Sequence, residues 1–383
     1  MEVYFDNAST TFPKPKCVTD AIYNYLVNIG GNANRSNYSN VLEGNRELFL
    51  ARKKISEFFN YDNPSHVIFT NNITTSLNTL IKGLLKENDH VISSVMEHNS
   101  VLRPLTDCSN YLNIDLTLIE ADNKGFIDIS SIEKNIKANT KLIILSHASN
   151  VCGSVQNLKE VGKLCKKHNI FFIIDTAQTA GSQKVDMQAL NADAIAFTGH
   201  KSLLGPQGSG GFIINDRLND CCTPLITGGT GSLSSSLTQP DFLPDKFESG
   251  TLNLPGIIGL SNGIDFINSI GIQTIKEKIQ FLRNYLCDGL LNIDNVILYG
   301  STDSNNTTSC LSINYKNVDA AELGYYLNDN GIKTRAGLHC APLAHKALNT
   351  FPTGTLRMSL SYFNTKEEVD YVLSVLNKYT SSK

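Results

Sequence analysis

No apolar run in the chain approaches the roughly 20 residues that a helix needs to span a bilayer, so no membrane partner is expected. The opening Met1-Glu2-Val3-Tyr4-Phe5-Asp6 has neither the basic region nor the long apolar core of a secretory signal, which points by elimination to the cytoplasm. Basic charge is not in excess. Lys and Arg number 33 against 36 Asp and Glu, a formal charge of −3, whereas a nucleic-acid binder presents a basic face. No helix-turn-helix module or basic arm is present, and no nucleic-acid partner is expected. Cys-x-x-Cys is missing as well. The nine cysteines are scattered, and their one close pair, Cys221-Cys222, is too tight for ordinary bridge or zinc spacing. Neither a disulfide framework nor a metal site is expected, so most cysteines read as small buried apolar residues, with room for a single reactive one. Internal repeats are absent, and low complexity is confined to 228–236, with a second polar loop at 304–308.

What is present is ordinary for a globular enzyme, with 41% apolar and 18% charged residues. A length of 383 residues exceeds one simple core, so two lobes are expected. From Val67 onward, strand-like runs at 67–69, 90–95, 116–120, 142–145, 171–174, 194–197 and 211–214 mostly alternate with amphipathic stretches such as 76–86, 129–136 and 158–167. Rich in Val and Ile, such runs predict an α/β fold with a mostly parallel seven-stranded sheet flanked by helices. This larger domain is placed at 13–250. Beyond it the texture changes to a helix at 275–291, strands at 296–299 and 310–315, a helix at 319–328, a strand at 356–361 and a closing helix at 366–379. That pattern predicts a smaller α+β domain at 251–383, joined by residues 1–12.

The stretch 193–206 draws the chemistry together. Its apolar strand ends at Thr198-Gly199-His200-Lys201. A lysine at a buried strand end is penalised in its charged form. That makes it a candidate amine nucleophile toward a carbonyl cofactor, the plain alternative being a surface lysine in a turn. In a parallel sheet, ligands gather at the carboxyl ends of the strands. Those ends carry Thr70-Asn71-Asn72-Ile73-Thr74-Thr75-Ser76, Glu97-His98-Asn99, Ser146-His147-Ala148-Ser149-Asn150 and Asp175-Thr176-Ala177-Gln178. The first suits a phosphate at a helix N-terminus or an ordinary helix cap. Asp175, at the edge of a buried strand, needs a positive partner such as a protonated ring nitrogen. His98 either stacks on a flat ring or is satisfied in a core. A phosphate, a flat ring, an acidic partner and a lysine together are the needs of pyridoxal phosphate.

These stretches, from Asp6-Asn7-Ala8 to Arg357, are similar to those of the class V, fold-type I pyridoxal-phosphate enzymes, and most of all to the cysteine desulfurase and selenocysteine lyase family. Asp175-Thr176-Ala177-Gln178 and Thr198-Gly199-His200-Lys201 are the most specific pieces. The resemblance implies that Lys201 binds the cofactor covalently, Asp175 pairs with its ring nitrogen and His98 stacks on the ring. It places Asn150 and Gln178 beside the ring's phenolic oxygen, and Ile73, Thr74, Thr198 and His200 at the phosphate. Thr251 would reach the phosphate of a neighbouring subunit, which implies a homodimer with shared sites. Asn7, Ala8, Arg35, Asn150 and Arg357 are the implied substrate contacts, with Arg357 gripping the carboxylate as a bidentate pair; its plain alternative is an exposed strand arginine. Arg335-Ala336-Gly337-Leu338-His339-Cys340-Ala341-Pro342 resembles the short cysteine loop of the type II desulfurases, with Leu338 where that loop carries a histidine. Cys340 is then the nucleophile toward substrate sulfur.

The expected activity is conversion of L-cysteine to L-alanine, leaving a persulfide on Cys340 for transfer to a sulfur-acceptor protein, as iron–sulfur cluster assembly requires. L-Selenocysteine is an alternative substrate. Another class V lyase or aminotransferase, and a non-catalytic cofactor-binding regulator, are the competing readings.

Overall fold

The structure, a computed structural model, describes residues 1–33 and 38–381. In chain order its strands are β1 (Val3–Tyr4), β2 (Val67–Thr70), β3 (His90–Ser94), β4 (Asp115–Ile119), β5 (Thr140–Ser146), β6 (Phe171–Asp175), β7 (Ala194–Thr198), β8 (Gly210–Ile214), β9 (Val296–Tyr299), β10 (Cys310–Tyr315), β11 (Ile332–Lys333), β12 (Arg335–Gly337) and β13 (Thr355–Ser359). Seven of them form the central sheet, in the order β2-β8-β7-β6-β5-β3-β4. Neighbours from β7 to β4 are parallel, and β8 alone runs against its two partners, β7 and β2. The seven expected strands are all present, with ends shifted by no more than two residues.

Alternation of side chains across the pleat explains why this sheet is covered on both faces. Ile92, Ile143, Leu145, Phe172, Ile174, Ile195 and Phe197 point into one core. Their neighbours Val91, Leu142, Ile144, Phe171, Ile173, Ala194 and Ala196 point into the other. The first face is closed by helices Ser39–Phe58, Leu158–His168 and Leu254–Ile270, the second by Ile73–Leu84 and Asn99–Leu112. Each buried Ile, Leu or Phe contributes about 1.5–3 kcal/mol over its exposed state. Although Leu254–Ile270 follows residue 250, its Leu254, Ile257, Ile258, Leu260, Ile264 and Ile267 all enter the large core. The segment leading into that helix is anchored by a buried ion pair. Arg52 forks onto both carboxylate oxygens of Glu248, which also accepts the Phe69 N–H at 2.7 Å.

The second lobe is a four-stranded antiparallel sheet, β12-β13-β10-β9, beside a parallel β1–β11 pair. Val3 and Phe5 share its core with Leu311, Ile313, Leu356 and Met358, so the chain's first strand packs against its last third. This lobe carries the Arg335–Gly337 edge strand and the turn after it over the carboxyl ends of the large sheet.

Candidate active site

The parallel strands end together, and register fixes what they present: Ser146 at the end of β5 lies opposite Asp175 at the end of β6, and Asp175 opposite Ala196 of β7. Asp175 is buried and accepts the Ala177 N–H at 2.8 Å. Burial raises its pKa, opposed by that hydrogen bond and by the Lys201 charge. Lys201 itself is only partly covered, yet its amine lies deep enough that burial pulls it down to about 8, against the attraction of Asp175. His98 caps the helix Asn99–Leu112, its Nδ1 accepting the Ser100 N–H at 3.0 Å. That bond puts the ring hydrogen on Nε2, and burial followed by the Lys201 charge holds the ring neutral with a pKa of about 4.

Three groups that await partners surround the far end of this cleft. Thr198 Oγ1 and His200 Nδ1 are buried and make no hydrogen bond among the described residues. Asn72 caps the helix Ile73–Leu84 by accepting from Thr75 N at 3.0 Å, which leaves the first-turn amides of Ile73 and Thr74 directed outward. The Ile73 side chain is buried in the apolar core, so only its backbone can serve a ligand. Thr74 is exposed. Thr251 lines a cavity of about 150 Å3 with Thr70, Asn71 and Thr75, behind this turn.

The smaller lobe closes the cleft through named hydrogen bonds. Asn150 donates from Nδ2 to the His339 carbonyl at 2.7 Å, and the Cys340 carbonyl accepts from Asn99 N at 2.8 Å. His339 and Cys340 both adopt left-handed backbone angles, φ 49° and 58°. Two successive non-glycine residues in that region mark a strained turn, and it presents an exposed Cys340 thiol. Arg357 is 1% exposed, so it is no surface arginine. It donates to the Asn150 carbonyl, Asp6 Oδ1 and Ser9 Oγ, each at 2.9 Å. Gln178 donates weakly to the Ala8 carbonyl (3.3 Å), and its Oε1 lies 3.7 Å from Cys310 Sγ.

A class V aminotransferase model matches residues 3–372. The chain belongs to the class V aminotransferase family. A relative from Methanothermobacter thermautotrophicus, described as a "Probable cysteine desulfurase", is 35% identical over 98% of this chain and 94% of its own length. A Haloferax volcanii protein described as a cysteine desulfurase is 29% identical over 98% and 88%. Among solved structures, the apo cysteine desulfurase from Thermococcus onnurineus superposes with a TM-score of 0.94 at 31% identity, covering 100% of this chain and 95% of that one. The cysteine desulfurase CsdA from Escherichia coli gives 0.90 at 26%, with the same coverage.

Pyridoxal phosphate is the cofactor of this family, and the donor set here fits it. Two orphaned polar atoms and a helix N-terminus suit the phosphate, a neutral imidazole suits the ring face, and a buried carboxylate suits a protonated ring nitrogen. The structure brings Asp175, Lys201, His98, Thr198, His200 and Asn150, all named from the sequence, to the same strand ends. Asn7 differs. Its amide is used inside the fold, donating to Tyr4 O, Ser359 O and Asn364 Oδ1 and accepting from Phe12 N, so its side chain braces the wall. Ala8 is buried and its N–H is taken by Ser359 Oγ at 2.8 Å. Arg35 lies outside the described residues.

Three residues have no role in the sequence reading. Arg335 stands opposite Arg357 across β12 and β13, its guanidinium 3.7 Å from Cys340 Sγ and 3.2 Å from Ser9 Oγ. Lys14 donates to the His200 carbonyl at 2.7 Å, joined there by Thr11 N and Thr10 Oγ1, so the N-terminal segment pins the peptide that precedes Lys201. Glu97 is 1% exposed. Glu97 stands in the strand-end segment Glu97-His98-Asn99 and Arg335 opens the cysteine loop, but the sequence gives neither a role; nothing in the local sequence marks Lys14.

Proposed function

We propose that this chain is a pyridoxal-phosphate-dependent cysteine desulfurase, a sulfurtransferase that converts L-cysteine to L-alanine and retains the sulfur as a persulfide on Cys340. The observation that carries this reading is the Cys340 turn, tied by Asn150 and Asn99 to the same strand ends that hold Asp175 and Lys201. The bound cofactor supplies an electron sink for the substrate's α-carbon. Asp175 would pair with its ring nitrogen and His98 would lie against the ring, the Ile73 and Thr74 amides with Thr198 and His200 would hold the phosphate, and Gln178 and Asn150 would bind the ring oxygen. Arg357 orients the substrate carboxylate, and Lys201 Nζ moves the α-proton. The Cys340 thiolate then attacks substrate sulfur. The carbon–sulfur bond breaks, a sulfur–sulfur bond forms, and the released carbon takes a proton: cysteine plus thiol gives alanine plus persulfide. The exposure of Cys340 supports onward transfer of that sulfur to an acceptor protein.

We propose in addition that two chains pair, with Thr251 of each reaching the other's phosphate. Tyr23, Leu26 and Val27 on one helical segment and Leu42 and Phe49 on the next leave an apolar stripe, each side chain more than half exposed, of the kind an interface covers.

Substituting Cys340 by Ala tests the assignment of activity. The Cys340→Ala protein keeps its yellow colour and loses sulfide release from L-cysteine by at least about 100-fold. Full release by that variant would remove Cys340 from the mechanism.

A further inference from the structure

Glu97 has no task in the reading above. It lies between β3 and His98, and no ion pair joins it to a cation among the described residues. Instead its carboxyl joins two neighbouring strand ends. Oε1 accepts from Ser94 Oγ at 2.6 Å, and Oε2 accepts from both the N–H and the Oγ of Ser146 at 2.7 Å. Ser146 is the register partner of Asp175, so the second carboxylate is near enough for its charge to act on Glu97. Holding two strands together does not require an acid. An amide could keep the same partners, its oxygen accepting from Ser146 and its NH2 donating to Ser94 Oγ in place of the bond accepted there, without the cost of burying charge beside charge. An acid at this position therefore points to a role for its charge.

We propose that Glu97 is a positioning residue for the cofactor ring, fixing His98 over it and Asp175 beside it and lending its negative charge to Asp175. This rests on the reading that Asp175 and His98 contact the ring. The charged group acting on Glu97 is Asp175 from β6; Lys201, after β7, acts in turn on Asp175 and on His98, and Arg335 and Arg357 from the smaller lobe and Arg103 from its own helix act on His98. Burial first, and Asp175 in addition, push Glu97 up to about 7 against the pull of its three donors. Its charge consequently changes within the working range. Near ionised Glu97, protons on the ring nitrogen and on the cofactor-bound lysine nitrogen are harder to remove.

The folded pKa lies above the ordinary 4.5, so the folded state binds the extra proton. This contribution to stability is present below about 4.5 and is lost as pH rises through about 7. Glu97→Gln removes it, and the cofactor-free variant accordingly gains melting temperature on the wild type between pH 5 and pH 7.5. In the loaded protein, the pH midpoint of the visible band falls by about half a unit or more. Ser146→Ala, which keeps the acid and weakens its ionised form, moves the midpoint in the same direction if Glu97→Gln does not fold. A shifted melt with an unmoved midpoint would make Glu97 structural only and overturn the inference, as would no change in either. Lys201→Ala separates the two levels. If that variant keeps the wild-type band, the site reading fails first and takes this inference with it.

Discussion

A lysine of ordinary pKa 10.5 is a poor nucleophile at neutral pH because it is almost wholly protonated. Burial that pulls Lys201 to about 8 raises its neutral fraction at pH 7 by roughly 300-fold, the 2.5-unit difference expressed as a ratio. Arg357 illustrates the opposite case, a group whose charge must persist. It reaches Asp6, Ser9 and the Asn150 carbonyl through two nitrogens, and its buried Nε has no partner among the described residues. Lysine has a single donor atom and cannot reproduce that fork. Arg357→Lys therefore lowers kcat/KM for L-cysteine by about 100-fold while the visible cofactor band stays. Steady-state kinetics with a spectrum of the same sample checks this, and a change below about threefold would contradict the carboxylate role. Asp175 and Lys201 were legible in the sequence because each ends an apolar run, where a charge is anomalous. Lys14 and Arg335 were not, since their meaning comes from partners 186 and 326 positions away. Asn7 was legible only through resemblance, which carries a residue's position without its hydrogen bonds.

Among elements, the strands of the large sheet were readable because complete burial makes them continuous apolar runs flanked by polar ends. Helices that break the amphipathic rule were not. Leu254–Ile270 is buried on most sides and contains Gly256, Gly259 and Gly263, so it shows no single apolar stripe. Asn99–Leu112 holds Pro104 in its second turn, which reads as a breaker. The stripe on the first two helical segments has a consequence at this scale. Leu42→Asp with Phe49→Asp places two charges where partner burial is proposed, and the cost of desolvating them splits the pair. Sedimentation of the loaded protein should show two chains for the wild type and one for the double variant, with weaker cofactor retention once Thr251 of the neighbour is lost. A wild type that sediments as one chain would contradict the shared site.

Taken whole, the molecule divides its chemistry between two bodies. The large sheet presents a cofactor cradle at its carboxyl edge, and the smaller lobe supplies Arg335 and the Cys340 thiol from its edge strand and the turn after it, and Arg357 from the neighbouring strand β13. Sequence pattern alone indicated the cradle, because parallel sheets gather ligands at one edge. It could not indicate how the Arg335–Cys340 segment meets that edge, which depends on Asn150, Asn99 and the packing of the first strand against the last third of the chain. The measurement that tests the central claim most directly is the visible spectrum of the purified, cofactor-loaded protein before and after L-cysteine is added, with alanine and sulfide assayed in the same tube. The account predicts a Schiff-base band that shifts on addition, with alanine and sulfide appearing in step when a thiol is present to discharge the persulfide. A band that L-cysteine leaves unmoved, with no alanine formed, would contradict it.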